Sequence, residues 1–249
     1  MPRAEMKVVL LRYTPNPQET VAMGSKLCYA SADLDTLQQR IETKDQSAFL
    51  ARLMDMGHLA MLEHASFTFG VEGVSRSLLA QLTRHRIASF SVQSQRYVQP
   101  GKQGFDYVLP PAIEELGPEA VREFALQMEQ IQSWYDLWQE RLGRSGESTN
   151  ENARFVLPNA AATRLIMTMN ARELLHFFSL RCCNRAQWEI REMAWRMLAL
   201  VDGVAPALFA DAGPGCLTGA CPEGAKCCGK QREIQEKRQR LREKEQNNG

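Results

Sequence analysis

No stretch of this chain comes near the twenty consecutive apolar residues that a membrane-spanning helix needs, so no membrane helix is expected. Excess charge is almost absent, with 30 Lys and Arg against 29 Asp and Glu. A general nucleic-acid binder carries a strongly basic footprint, and that balance argues against one. The common phosphate and metalloprotease signatures are missing too. No G-x-G-x-x-G follows a strand pattern, and neither G-x-x-x-x-G-K-[ST] nor H-E-x-x-H occurs. A nucleotide or flavin, if bound, is therefore bound outside the standard phosphate loops. The opening Met1-Pro2-Arg3-Ala4-Glu5 does not read as a signal peptide, which makes the cytoplasm the expected location.

The cysteines number seven, an odd count that fits a reducing compartment better than a disulfide framework. Cys216, Cys221, Cys227 and Cys228 crowd into thirteen residues, but their spacing is looser than the paired ligands of a zinc site. Thiols in a packed turn are the simpler expectation there, and no metal site is assigned. Cys28, Cys182 and Cys183 sit in apolar helical patterns and are expected to be buried. With 249 residues, 44% of them hydrophobic, the chain makes one large soluble domain or two small ones.

What the sequence does have is concentrated. Arg84-His85-Arg86 is followed, after seven residues, by Ser94, Gln95, Arg96 and Tyr97. Guanidinium forks suit phosphate oxygens, while hydroxyls and amides suit the edges of a base. Basic segments are more often solvated helix ends. Here the lead-in Ser77–Thr83 is apolar at helical spacing, which puts Arg84 to Arg86 at the end of a helix, over 75–86, packed on a core. Gln81 and Arg84 share one face of that helix. The segment reads as an anion site, best suited to a nucleotide.

A second polar cluster lies downstream. Asn170, Arg172, His176 and Arg181 fall on one predicted helix, with Asn152 and Arg154 ahead of the preceding strand. A cation at a helix C-terminus accounts for Arg181 alone. It does not account for Arg172 and His176, which are i,i+4 neighbours on one face.

Elsewhere, Val8–Leu11, the alternating Phe67-Phe69-Val71 and the alternating Thr163–Met169 predict strands. Helices are expected within 19–62, over 111–142, and at about 171–183 and 187–201, with a long loop over 87–111 and a polar break over 143–150. Trp134, Tyr135 and Trp138 form a stripe suited to a core or a subunit interface. The charged segment from Gly229 onward reads as a frayed amphipathic tail. Few strands among many helices, without strict alternation, give an α+β class.

These residues together resemble the flavin-dependent thymidylate synthases. That family's signature, R-H-R, seven residues, S and then R-Y, stands here as Arg84-His85-Arg86 through Ser94-Gln95-Arg96-Tyr97. The similarity extends through Gly57-His58, Leu62–Phe69, Ala153–Pro158, Asn170-Ala171-Arg172 and Ala186–Arg191, covering about residues 5 to 210.

The resemblance implies an enzyme that methylates dUMP to dTMP, using FAD, NADPH and 5,10-methylenetetrahydrofolate. It implies a largely antiparallel sheet with packed helices in a single domain over 1–215, followed by a Cys-rich turn and charged tail over 216–249. It also implies a homotetramer with active sites at subunit interfaces. Carried over position by position, Gln81, Arg84, Val92, Gln93, Ser94, Gln95, Arg96, Arg154 and Arg181 match dUMP-binding positions. Ala60, Arg84, His85, Arg86, Val92, Asn170, Arg172 and His176 match flavin positions, and His58 matches a histidine of the folate and flavin pocket. Two of these depart from the pattern: Val92 stands where a carboxylate is common, so that role is absent or moves to Gln93, and Ala60 replaces a hydroxyl residue. Arg181 is expected to polarise the uracil, with no nucleophile supplied by the enzyme. A non-catalytic nucleotide- or RNA-binding protein using the same basic loop is the alternative, and a redox protein built on the cysteines a more distant one.

Overall fold

A computed structural model of the chain describes residues 1–101, 103–143 and 146–247. The elements run β1 (Lys7–Tyr13), α1 (Pro17–Leu27), α2 (Leu34–Glu42), α3 (Ser47–Asp55), β2 (Ser66–Ser75), α4 (Arg76–Leu82), β3 (Ala88–Val92), α5 (Pro111–Glu114), α6 (Pro118–Arg141), α7 (Glu147–Ala153), β4 (Ala162–Asn170), α8 (Ala171–Arg181), α9 (Trp188–Val204) and α10 (Gln231–Asn247). The four strands form an antiparallel sheet in the order β1-β2-β4-β3, so the class is α+β. Among the described residues no helix is long and apolar enough to cross a membrane.

Two strands run straight into helices, and each junction is capped by a side chain. At the end of β2 the Ser75 hydroxyl accepts the Leu78 N–H at 3.1 Å, starting α4. At the end of β4 the Asn170 amide oxygen accepts the Glu173 N–H at 2.8 Å, starting α8. Each cap satisfies one of the four N–H groups that a helix start leaves unpaired, worth about 1 kcal/mol.

The chain packs into two compact units built from interleaved segments. The first comprises residues 1–7, 70–84 and 90–166. Its small core gathers Phe105, Tyr107, Leu109, Met128 and Ala161, with Phe124 of α6 packed against it. In β2, Gly73 has φ 68°, and a Cβ there would lie 2.0 Å from the Glu5 carbonyl oxygen, so only glycine fits.

The second unit comprises 8–69, 85–89 and 167–249. Phe67 and Phe69 of β2 point inward and are fully buried. The Phe67 ring meets Phe209 edge-on at 5.4 Å, and Phe178 of α8 meets Phe209 at 6.1 Å. Helix α9 supplies Ile190, Met193, Ala194, Met197, Leu198 and Val201 at helical spacing, all buried.

Several expectations are corrected. The helix predicted over 75–86 stops at Leu82, where the Thr83 hydroxyl turns back onto the Leu79 carbonyl at 2.8 Å. Within the predicted loop 87–111, residues Ala88–Val92 form strand β3, whose half-buried Ala88, Phe90 and Val92 alternate with exposed Ser89 and Ser91. Lys102 in that stretch lies outside the described residues. The polar break over 143–150 already contains the first turn of α7, with Arg144 and Ser145 outside the described residues.

Of the α6 stripe only Tyr135 is buried, while Trp134 and Trp138 are exposed. Cys28 is exposed as well, because it follows the last turn of α1, whereas Cys182 is fully buried and Cys183 half-buried. The segment after Gly229 is no frayed tail: α10 docks through buried Ile234 and through Arg238, which forms a bidentate pair with Asp202 of α9 at 2.7 and 2.8 Å. Arg238 also donates to the Phe209 carbonyl at 2.7 Å.

Candidate active site

Helix α8 presents its polar residues on two sides. Arg172 and His176, one turn apart, are exposed, and Arg172 pairs with Glu63 at 2.5 Å. Arg181, at the last turn, is half-buried and reaches inward. Its Nε–H donates to Nε2 of His85 at 3.1 Å. The other ring nitrogen of His85, Nδ1, lies 3.0 Å from Oε1 of Glu173. Both His85 and Glu173 are buried, at 5% and 7% exposure. The His85 ring also meets Phe177 edge-on at 4.9 Å and faces His176 at 6.0 Å. Burial holds the His85 imidazole below its usual pKa, against the pull of Glu173 and with the added push of the Arg181 and His176 charges. A neutral imidazole follows, held between a carboxylate and a guanidinium.

Asn170 is placed by its capping role, with its Oδ1 committed to the Glu173 N–H. His58 is exposed after Gly57, where the backbone turns through φ 74°, and Ala60 opens a short 3₁₀ turn over Ala60–His64. Arg86 is exposed. His58, Ala60, His85, Arg86, Asn170, Arg172, His176 and Arg181 all fall in the second unit.

The remaining predicted residues fall in the first unit. Gln81 sits on the last turn of α4, and Arg84 follows it on an exposed turn. Past β3 the chain closes a turn over 94–98, with the Val98 N–H donating to the Ser94 carbonyl at 3.0 Å. Gln93 and Gln95 line a cavity of about 750 Å3, together with Arg164, Glu72, Tyr135 and Asp106. With its amide oxygen turned to Arg164, Gln93 accepts two N–H groups at 3.2 Å. Ser94 and Arg96 do not line that cavity. Arg96 lies in a shallower one of about 340 Å3 with Tyr97, Gln99, Glu147 and Asn150. Its guanidinium bridges Glu147 at 2.5 Å and Glu151 at 2.9 Å, and its backbone N–H donates to the Ser94 hydroxyl at 3.1 Å. Arg154 is half-buried and donates to the Glu151 carbonyl at 3.3 Å. Val92 ends β3, half-buried.

Sequence reasoning missed four partners. Glu173 follows Asn170 in an N-x-x-E pattern, which reads as a capping box. The cap does form, but the Glu173 carboxylate serves His85 instead of the helix start. Glu147 and Glu151, an i,i+4 pair on α7, hold Arg96, and their spacing was the available signal. Arg76 opens α4 and donates to the Gln93 carbonyl at 3.3 Å and the Thr163 hydroxyl at 3.4 Å. Burial, reinforced by the Arg154 charge, pushes its guanidinium pKa down.

Among the described residues no group of three His, Cys, Asp or Glu side chains is arranged to hold a metal ion. The exposed face of α8 fits a flavin through its donors, a guanidinium and an imidazole one turn apart near a helix N-terminus, where anionic groups are favoured. Arg172 is held there by one exposed carboxylate, a pairing an incoming anion can displace.

Known proteins resemble this chain over most of its length. The family model described as thymidylate synthase complementing protein matches residues 9–207. The flavin-dependent thymidylate synthase of Geobacter sulfurreducens is 53% identical over 230 residues, covering 92% of this chain and 96% of its own. That of Pyrococcus furiosus is 40% identical, covering 88% of this chain and 90% of its own. Among solved structures, thymidylate synthase X from Helicobacter pylori with FAD and dUMP superposes with a TM-score of 0.63 at 25% identity, over 84% of this chain and 99% of that one. The UMP/dUMP methylase PolB from Streptomyces cacaoi, bound with 5-Br dUMP, gives 0.70 at 25% identity, over 85% and 97%. A match that runs through both polar clusters and the strands and helices between them decides between an enzyme and a mere binding loop: this chain belongs to the flavin-dependent thymidylate synthases.

Proposed function

We propose that this chain carries out its family's reaction, the reductive methylation of dUMP to dTMP, in the cytoplasm and as a homotetramer, with Arg181 as the residue that polarises the uracil. The observation that supports the proposal is the half-buried Arg181, whose Nε–H donates to the imidazole of the buried His85 at 3.1 Å. When bound, FAD reduced by NADPH supplies the hydride for C6 of the uracil, while methylenetetrahydrofolate is the one-carbon donor for C5.

The work of the chain's own residues is read from the family positions that they match. Arg181 points its guanidinium at the negative charge that develops across N3 and the adjacent carbonyl of the ring. Such a preorganised donor is worth about 3–4 kcal/mol of transition-state stabilisation. Arg96 and Arg154 hold the phosphate and fix the orientation of the base, with Gln81, Arg84, Gln93 and Gln95 as further donors and acceptors. Ser94 donates a hydrogen bond to the nucleotide. It is no nucleophile, since no imidazole or carboxylate among the described residues hydrogen-bonds to its Oγ, and a serine needs an adjacent base to attack. His85, which the resemblance puts at a flavin position, would instead act through Arg181, since its Nδ1 faces Glu173 and its Nε2 accepts from Arg181. Arg172, His176 and Asn170, with Arg84, Arg86 and Ala60, would hold the flavin, and His58 the folate beside it. The half-exposed Trp134, Leu137 and Trp138 of α6 support burial against another subunit.

The test is release of tritium from dUMP labelled at C5, run anaerobically with FAD, NADPH and methylenetetrahydrofolate, with UMP in a parallel assay because the Streptomyces cacaoi relative is a UMP/dUMP methylase. Release that requires both flavin and folate, with dTMP formed, is expected. Folded, flavin-loaded protein that releases no tritium from either nucleotide would refute the proposal.

A further inference from the structure

Arg181 is set by two residues that need not touch the nucleotide. The guanidinium has five N–H donors and no acceptor. Its Nε–H, 3.1 Å from Nε2 of His85, therefore requires a bare lone pair on that nitrogen. A neutral imidazole with Nε2 bare carries its proton on Nδ1, which then donates to the Glu173 carboxylate 3.0 Å away.

We propose that Glu173 and His85 are positioning residues for Arg181: the buried Glu173 carboxylate fixes His85 as the Nδ1–H tautomer, and the bare Nε2 then aims the Arg181 guanidinium. This rests on the role of Arg181 given above. Without the carboxylate, the Nε2–H tautomer turns a donor toward the Arg181 Nε–H, and the two groups repel. Protonation of His85 has the same effect, since an imidazolium has no lone pair to offer.

The titratable and charged groups facing His85 are Glu173, His176 and Arg181, all from α8, with Phe177 of the same helix covering the ring. Burial, Arg181 and His176 keep the ring neutral, and Glu173 alone favours its protonation. Turnover in the chain as it stands should therefore fall on the acid side as His85 takes up a proton. Removing the Glu173 charge lowers the affinity of His85 for that proton, so the acid limb should move to lower pH even as the rate drops. A merely structural loss would lower the yield of folded protein and leave the limb where it was.

The experiment uses the full chain labelled with ¹⁵N-histidine, with His85 assigned by the loss of its signals in His85→Gln. NMR reads which ring nitrogen carries the proton, and Glu173→Gln is compared with the parent. The expected result is a protonated Nδ1 and bare Nε2 in the parent at neutral pH, with the Nε2–H form appearing in Glu173→Gln. The variant should also lose ~10–100-fold in kcat for dTMP at saturating dUMP, the cost of a misplaced catalytic group. Its dUMP affinity should stay near that of the parent, and its acid limb should shift downward. A proton on Nε2 in the parent overturns the proposal. So does a Glu173→Gln protein with the parent's tautomer and an unmoved limb. If the parent made no dTMP at all, the assignment of the reaction would fail, while the NMR result would still decide whether Glu173 sets the histidine that faces Arg181.

Discussion

In the unit formed by 8–69, 85–89 and 167–249, Arg181 meets a buried imidazole backed by a buried carboxylate. In the unit formed by 1–7, 70–84 and 90–166, Arg96 is 44% exposed at its side chain and is shared between two carboxylates on the surface of α7. The residue types are nearly the same, but their energetics differ. Water screens the Arg96 pairs, and an incoming phosphate can replace the carboxylates at little cost. The His85–Glu173 contact is shielded, so the position it imposes on Arg181 is stiff and costly to change. One arrangement suits a clamp that must open and release product. The other suits a group that must already be in place when charge develops on the ring.

The contrast is broken most strongly at the docked C-terminal helix. Arg238→Ala leaves Asp202 buried and unpaired and should lower stability by about 3–5 kcal/mol, read as a fall in Tm or in the denaturant midpoint. A loss below about 1 kcal/mol would mean that the pair is solvated. The caps provide a control common to both units: Asn170→Ala and Ser75→Ala should each cost about 1 kcal/mol in chemical denaturation. A markedly larger loss for Asn170→Ala would show that the cap also braces Glu173.

Acid distinguishes the units next. The folded-state pKa of His85 lies below its unfolded value, so the unfolded chain binds the extra proton first. Stability from this site is present above the ordinary imidazole pKa and is lost as pH falls through it toward the depressed folded value. Denaturation curves across that range should lose this acid-side slope in His85→Gln. The smallest effect is expected at Glu147→Gln, where loss of an exposed pair should cost about 0–1 kcal/mol and vanish in high salt. A larger, salt-resistant loss would place Arg96 in the same class as Arg181.

Legibility in the sequence follows the same division. Strands β2 and β4 were readable because one face is buried, which imposes strict alternation on Phe67, Phe69, Val71 and on Leu165, Met167, Met169. Strand β3 alternates as well, but it is short, its inward residues are only half-buried, and its hydroxyls look like a ligand loop. Helix α10 hid because buried Ile234, the Arg238–Asp202 pair and hydrogen bonds from Gln231, Gln235 and Arg238 to backbone carbonyls dock it, and none of these makes a periodic apolar signal within a charged run. The arginines and histidines of the candidate site stood out by residue type. Their carboxylate partners did not, because Glu173 lies 88 residues from His85 in the chain and only the fold brings them together.

The most direct measurement is a single-turnover rate at saturating dUMP for Arg181→Ala beside Ser94→Ala, with dUMP affinity measured separately for each. Arg181→Ala should lose about 10²–10³-fold in rate. Ser94→Ala should bind dUMP more weakly, by up to about tenfold for one hydrogen bond, and still turn over. A Ser94→Ala enzyme that binds dUMP as tightly as the parent yet shows no chemistry would contradict this account and make the serine a covalent nucleophile.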